Sequence, residues 1–328
     1  MTAEIGVPPS PAGGVSPSPG AGGVPPSPAG GVPPSPGAGG VPASPAGGVP
    51  KRVGVVGGGR MGAGIAQVFA AAGAVVTVVE RDPAAGAAAR QRVATGLRRA
   101  AERGALAEDA GAVLERVELA GEVPGDAGLV VEAVPEDVPL KVAVLAAAEN
   151  AVGDDAVLAT NTSSLSIAGL AEGLRRPGRF VGMHFFNPVP ASGLVEIVAG
   201  PQTAGAVRDA AASWAAALGK TAVVVRDSPG FATSRLGVLL GLEAIRMLEE
   251  GVADAASIDR AMELGYRHPM GPLRSTDLVG LDVRLAIAEH LHRELGERFA
   301  PPRLLREKVA RGELGRKSGR GFYSWEAS

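Results

Sequence analysis

The sequence predicts an α/β protein, a doubly wound sheet followed by an all-α C-terminal part. Three observations predict it. A glycine-rich turn separates a strand pattern from a helix pattern near residue 57. Short apolar, β-branched runs then alternate with Ala-rich segments as far as residue 228. Beyond that, apolar residues recur only at helical spacing.

Residues 1–50 stand apart from this fold. They hold 14 of the 27 prolines and 13 of the 48 glycines, and Glu4 is their one charged residue. GGV recurs at positions 13, 22, 30, 39 and 47, so the period alternates between nine and eight. Proline removes backbone donors, glycine raises chain entropy, and the repeat has too few apolar side chains for a stacked core. A disordered, partly polyproline-like arm is expected. It lacks the basic start and apolar run of a targeting segment. Residues 51–228 and 229–328 are expected to form two folded domains.

The net charge of -2, without a concentrated Lys/Arg block, offers no field for nucleic acid. Few aromatics (Phe 7, Trp 2, Tyr 2) are present to stack bases. No apolar run reaches the roughly 20 residues that span a bilayer. There is no cysteine, which removes disulfides and thiol chemistry and fits a cytoplasmic location. No histidine pair has metal-ligand spacing, so no metal is expected.

In chain order, RVGVV (52–56) reads as a buried strand and AGIAQVFAAAG as a helix. Between them Gly57, Gly59 and Gly62 match G-x-G-x-x-G, with Met61 inside the same turn. The first glycine permits the tight turn and the second admits a pyrophosphate to the backbone amides. The third lets the helix pack close on the strand. The helix start adds unpaired N–H groups and the positive end of its dipole. VVTVVE (75–80) is a second strand ending in Glu80, 23 residues after Gly57. An acid at a spacing of about 20 bonds the adenine ribose hydroxyls. It also repels a 2′-phosphate, so NAD is expected over NADP, with Arg81 as the opposing neighbour.

Residues 83–118 read as one long helical region. Its Arg98, Arg99 and Arg103 form a solvated face, or Arg103 reaches a phosphate of a nucleotide-bearing substrate. DAGLVVEAVPED (126–137) is the next strand and its exit loop. That places Glu136, and Lys141 on the following helix, at the crevice facing strand C-termini. Glu132, inside the strand, is read as structural. AVLATNTSSLSI (156–167) is a strand with a polar turn, where Ser163 belongs to a helix cap or points its hydroxyl at a substrate oxygen.

VGMHFFNPVPASGLVEIV (181–198) carries His184 and, twelve positions later, Glu196, each in an apolar run. Imidazole is the side chain that titrates near neutrality, and a carboxylate partner fixes its tautomer. The pair is the expected centre of a dehydrogenase. AVVVRDSPGF (222–231) adds a strand and a turn. LGVLLGLEAIRML, VADAASIDRAMELG and STDLVGLDVRLAIAEHLH then read as helices. The first is apolar over a wide arc, as at a subunit interface or in a central core.

GVVGGGRMGAGIA, VVEAVPED, TNTSSLSI, GMHFFNPVPASGLVEIV, DSPGFATSRL, PMGPLRSTDLVGLD and GRKSGRGFYSW occur in that order. Together they resemble the L-3-hydroxyacyl-CoA dehydrogenase family, which includes 3-hydroxybutyryl-CoA dehydrogenases, over about residues 52–325. The resemblance implies a Rossmann-like NAD-binding domain and a helical C-terminal dimerisation domain, hence a homodimer acting on an acyl-CoA. By matching position it implies His184 as catalytic base, Glu196 as its orienting partner, and Ser163 at the substrate oxygen and nicotinamide. Glu136, Lys141, Asn187 and Lys317 surround the cofactor, and Arg103 matches a CoA-phosphate contact.

Ser234 departs from the pattern, which usually has Asn there, donating an amide hydrogen toward the substrate. Serine is shorter and donates one hydrogen where the amide donates two. Water bridges the gap, the substrate sits differently, or turnover is lower. The expected reaction is NAD-dependent oxidation of a short-chain (3S)-3-hydroxyacyl-CoA, such as 3-hydroxybutyryl-CoA, or its reverse. The alternatives are the same chemistry on hydroxyadipyl-CoA, an acyl-carrier-protein thioester or a gulonate-like acid, and a non-catalytic NAD-binding protein.

Overall fold

Parallel strands need crossover segments, and the chain supplies them in alternation. The computed structural model describes residues 48–325, so the repetitive arm expected over residues 1–50 lies, but for its last three positions, outside the described residues. Strand β1 (Arg52–Val56) leads into helix α1 (Arg60–Ala71), β2 (Val75–Val79), α2 (Pro83–Glu102), α3 (Ala110–Glu115) and β3 (Val117–Ala120). There follow β4 (Leu129–Glu132), α4 (Val138–Ala151), β5 (Val157–Thr160), α5 (Ile167–Ala171) and β6 (Phe180–Phe185). Next come β7 (Leu194–Ala199), α6 (Gly205–Ala217) and β8 (Thr221–Arg226).

The eight strands form one sheet in the order β3-β2-β1-β4-β5-β6-β7-β8. All neighbours are parallel except β6 and β7. The sheet is Rossmann-like. Its order reverses between β1 and β4, which opens a crevice at the C-terminal ends of those strands. Alternation along each strand fills both faces. Val53, Val55, Val76 and Val78 pack with Phe69 and Leu97 on one face, while Leu158 and Phe180 pack with Leu145 and Leu170 on the other.

The helical part comprises α7 (Thr233–Glu249), α8 (Ala255–Gly265), α9 (Pro272–Val279), α10 (Leu281–Leu295) and α11 (Arg303–Ala310). Its core joins Val238, Leu242 and Ile245 of α7 to Leu273, Leu281, Leu291 and Leu305. The terminal GFYSW segment is clamped by the buried carboxylate of Asp277, which accepts from the Phe322 and Tyr323 N–H groups and from Trp325 Nε1.

Two expectations are corrected. The long helix over 83–118 ends at Glu102, where Gly104 adopts φ 65, and Val117–Ala120 is an edge strand paired to β2. Only its first residue is buried, so the segment lacks the apolar alternation that marks a strand in sequence. The helix over 275–292 is also two helices, because Gly280 at φ 105 breaks the ladder between α9 and α10.

Five of the eleven described α-helices carry their own side-chain cap. Asp82, Asp137, Ser166 and Asp254 each accept from a backbone N–H in the first turn that follows. Helix α7 has no such side chain at its N-cap, Ala232. Its cap comes from another element.

Candidate active site

The glycine turn follows directly from β1. Gly57 adopts φ 96, and a Cβ there would meet the Ala133 carbonyl oxygen at 2.9 Å, so β4 approaches too closely for any side chain. At Gly62 a Cβ would lie 1.7 Å from the Gly57 oxygen, which ties α1 tightly to the turn. Gly59, the N-cap of α1, faces open space and offers no side-chain cap. The first N–H groups of α1 therefore lack a side-chain partner, as an anion-binding helix start requires. Glu80, one residue beyond β2, accepts from the Gly58 N–H at 2.6 Å. These residues fit a dinucleotide: a turn open to phosphate, with an acid beside it for ribose hydroxyls.

At the end of β4 the geometry is more closed. Lys141 is 1% exposed and bonds Glu132 Oε1 at 2.8 Å, Glu132 Oε2 at 3.0 Å and the Val134 carbonyl at 3.2 Å. Thr160 Oγ1 donates to Glu132 Oε2 at 2.6 Å. Lys141 also lies 3.2 Å from Glu136 Oε2. Glu136 Oε1 in turn accepts from the Ser163 N–H at 2.7 Å, the Ser163 hydroxyl at 3.2 Å and the Thr162 hydroxyl at 2.9 Å. A buried ammonium thus holds the carboxylate that holds Ser163. The cap of α5 is Ser166, which leaves the Ser163 hydroxyl outside that role.

His184 and Glu196 are Cα partners on the antiparallel pair β6 and β7. Met183, Phe185, Val195 and Ile197 face one core, so strand alternation turns His184 and Glu196 to the opposite face together. His184 Nδ1 lies 2.8 Å from Glu196 Oε2, with His184 6% exposed and Glu196 fully buried. Phe186 and Phe231 flank the imidazole at centroid distances of 4.3 and 5.9 Å. Phe231 adopts φ 51 beside Gly230 at φ 73, a left-handed corner that swings the chain from β8 into α7.

That corner delivers the missing cap. Glu196 Oε1 accepts from the Ala232 N–H at 3.1 Å and the Thr233 N–H at 2.9 Å, while Oε2 accepts from the Thr233 hydroxyl at 2.7 Å. Burial pushes the Glu196 carboxyl up, and the bonds from His184 and Thr233 outweigh it, holding the group below the ordinary carboxylate range. One carboxylate therefore orients the imidazole and starts the helix whose second residue is Ser234.

Arg103 ends α2 and lines a cleft of about 590 Å³ with Arg60, Arg92 and Arg99. The loop after β6, including Asn187 and Pro190, forms its other wall. Lys220 fastens that loop, donating to the Val189 and Ser192 carbonyls at 2.6 Å each. Lys317, in contrast, pairs with Asp282 of α10 at 2.5 Å. Sequence reasoning passed over Thr233, Lys220 and the Glu132–Lys141 pair. Thr233 was legible only as a hydroxyl at a helix start, whereas Lys220 fastens a loop far upstream and Lys141 reaches back from α4 to the end of β4.

Residues 52–228 match the family model for 3-hydroxyacyl-CoA dehydrogenase, NAD binding domain, and residues 230–325 match that for 3-hydroxyacyl-CoA dehydrogenase, C-terminal domain. A 3-hydroxybutyryl-CoA dehydrogenase of Mycobacterium tuberculosis is 43% identical over 284 residues, covering 83% of this chain and 98% of the relative. A probable 3-hydroxybutyryl-CoA dehydrogenase of Bacillus subtilis is 41% identical over 276 residues, covering 83% and 96%. Among solved structures, M. tuberculosis FadB2 superposes with TM-score 0.81 at 43% identity, covering 84% of this chain and 99% of that one. The (S)-3-hydroxybutyryl-CoA dehydrogenase of Ralstonia eutropha also gives TM-score 0.81, at 40% identity, covering 85% and 100%.

Proposed function

The chain belongs to the 3-hydroxyacyl-CoA dehydrogenase family, and we infer from that membership and from its own geometry how its residues carry the reaction. It is an NAD-dependent oxidoreductase that interconverts a (3S)-3-hydroxyacyl-CoA and the 3-oxoacyl-CoA, with 3-hydroxybutyryl-CoA as the short-chain substrate named for its relatives.

Neutral His184, its Nδ1–H given to Glu196, accepts the C3 hydroxyl proton at Nε2. Glu196 stabilises the imidazolium that forms. Held by Gly57, Gly59, Met61, Gly62 and Glu80, NAD supplies the hydride acceptor when bound. Ser163, backed by Glu136 and Lys141, hydrogen bonds the C3 oxygen, and Ser234 donates to the thioester oxygen. Asn187 and Lys317 complete the assignment to the cofactor; for Lys317 this requires release from Asp282. Arg103, with Arg60, Arg92 and Arg99 beside it, takes the phosphates of CoA.

The observation that carries this reading is the 2.8 Å contact between His184 and Glu196, buried on the sheet face that meets α7. The test is NADH formation from 3-hydroxybutyryl-CoA. His184→Ala is expected to lower kcat about 10²–10⁴-fold, and turnover at the parent's rate would refute the assignment.

We also divide the folded chain at residues 51–228 and 229–328, supported by a third core cluster whose buried members all lie within residues 238–305, although the described residues pack as one compact unit. A homodimer through the C-terminal helices is part of the same proposal. Leu236 and Leu240 of α7 are 62% and 43% exposed, and Val279 of α9 and Val283 of α10 are 46% and 42% exposed, apolar surface that a second copy would cover. No described helix is long and apolar enough to cross a membrane, and a cytoplasmic location is proposed on composition.

A further inference from the structure

We propose that Thr233 is a positioning residue for the reaction: its hydroxyl shares Glu196 Oε2 with His184 and so limits how tightly that carboxylate holds the imidazolium. This rests on the reading of His184 as the base.

The geometry is specific. Thr233 Oγ1 lies 2.7 Å from Glu196 Oε2, and His184 Nδ1 lies 2.8 Å from the same atom. The backbone N–H groups of Ala232, the N-cap of α7, and of Thr233 occupy Oε1. With all four donors in place the buried carboxylate has no need of water. A carboxylate oxygen that accepts a second charge-assisted bond has less negative charge for the first.

The elements packed around Glu196 present the following groups. His184 of β6 is the titratable group bonded to Glu196. The register neighbour of Glu196 on β8 is the apolar Val223. Arg235, in the first turn of α7, turns to the Ser228 hydroxyl at 3.4 Å. On the far face of β7, α6 presents Val207, Ala211 and Ala215, and its Arg208 and Asp209 pair with each other.

Removing the hydroxyl leaves Oε2 to His184 alone. The imidazolium is then held more firmly, and neutral base is available only at higher pH. Oxidation needs the neutral form and loses rate on the acid side; reduction needs the imidazolium and keeps its rate further into alkali. The cap of α7 consists of backbone donors, so Thr233→Val leaves it in place.

The experiment measures kcat/KM against pH in both directions, with 3-hydroxybutyryl-CoA and NAD, then acetoacetyl-CoA and NADH. It compares the parent, Thr233→Val, Thr233→Ser and His184→Ala. Thr233→Val is expected to move the acid limb of oxidation up by about one pH unit, roughly a tenfold loss below the limb, while the plateau holds. Thr233→Ser is expected to restore the parent profile. An unmoved limb in Thr233→Val, a uniform fall at every pH, or equal behaviour of the valine and serine variants would overturn the proposal. A silent His184→Ala beside any of these leaves the base assignment standing, whereas an active one removes the base itself.

Discussion

Glu196 accepts four hydrogen bonds while fully buried, and that combination has a pH consequence of its own. Its carboxyl is held below the ordinary range in the folded protein, so the folded state favours the ionised form more than the unfolded chain does. The stability this contributes is complete above the unfolded value, about pH 4, and is lost as pH falls through the lower folded value. Urea unfolding as a function of pH should therefore show a steeper loss below about pH 4 for the parent than for Glu196→Gln. The glutamine variant should also lose most turnover, because an amide fixes neither the tautomer nor the imidazolium. In this chain Ser234 follows Thr233 in the same helical turn, so the proposed substrate contact and the proposed base are steered by one carboxylate.

At the scale of elements, the strand-end loops are braced from beneath. Glu132 on β4, Lys141 on α4 and Thr160 on β5 form a buried cluster, and Lys141 reaches from it to Glu136 and thence Ser163. Removing one member of a buried pair leaves an uncompensated charge, at a cost of about 3–5 kcal/mol. Lys141→Met should lower urea-unfolding stability by that order, and the double variant with Glu132→Leu should recover much of it. The β6–β7 pair shows why register matters here. A slip of one residue would turn His184 or Glu196 to the apolar face occupied by Met183 and Ile197. Edge strand β3 was hidden in the sequence because a half-exposed, four-residue segment carries almost no periodic signal.

For the molecule as a whole, the exposed apolar residues of α7, α9 and α10 make a prediction about assembly. Leu240→Glu should halve the sedimentation mass while leaving the circular dichroism spectrum unchanged, and a parent that already sediments as a monomer would remove the dimer. Much of this protein was determined by its sequence alone: the alternation of strand and helix, the glycine turn with Glu80 at its distance, and the His184 and Glu196 pair. Each is written in local spacing, which the periods of strand and helix translate directly into position. Tertiary structure decided the rest. It joined β4 to β5 so that Glu132 meets Thr160, and turned α7 at Phe231 so that Glu196 became its cap. It also brought the arginines of α2 opposite the loop after β6. Those contacts link residues far apart in the chain, and only strand order and packing say which of them touch.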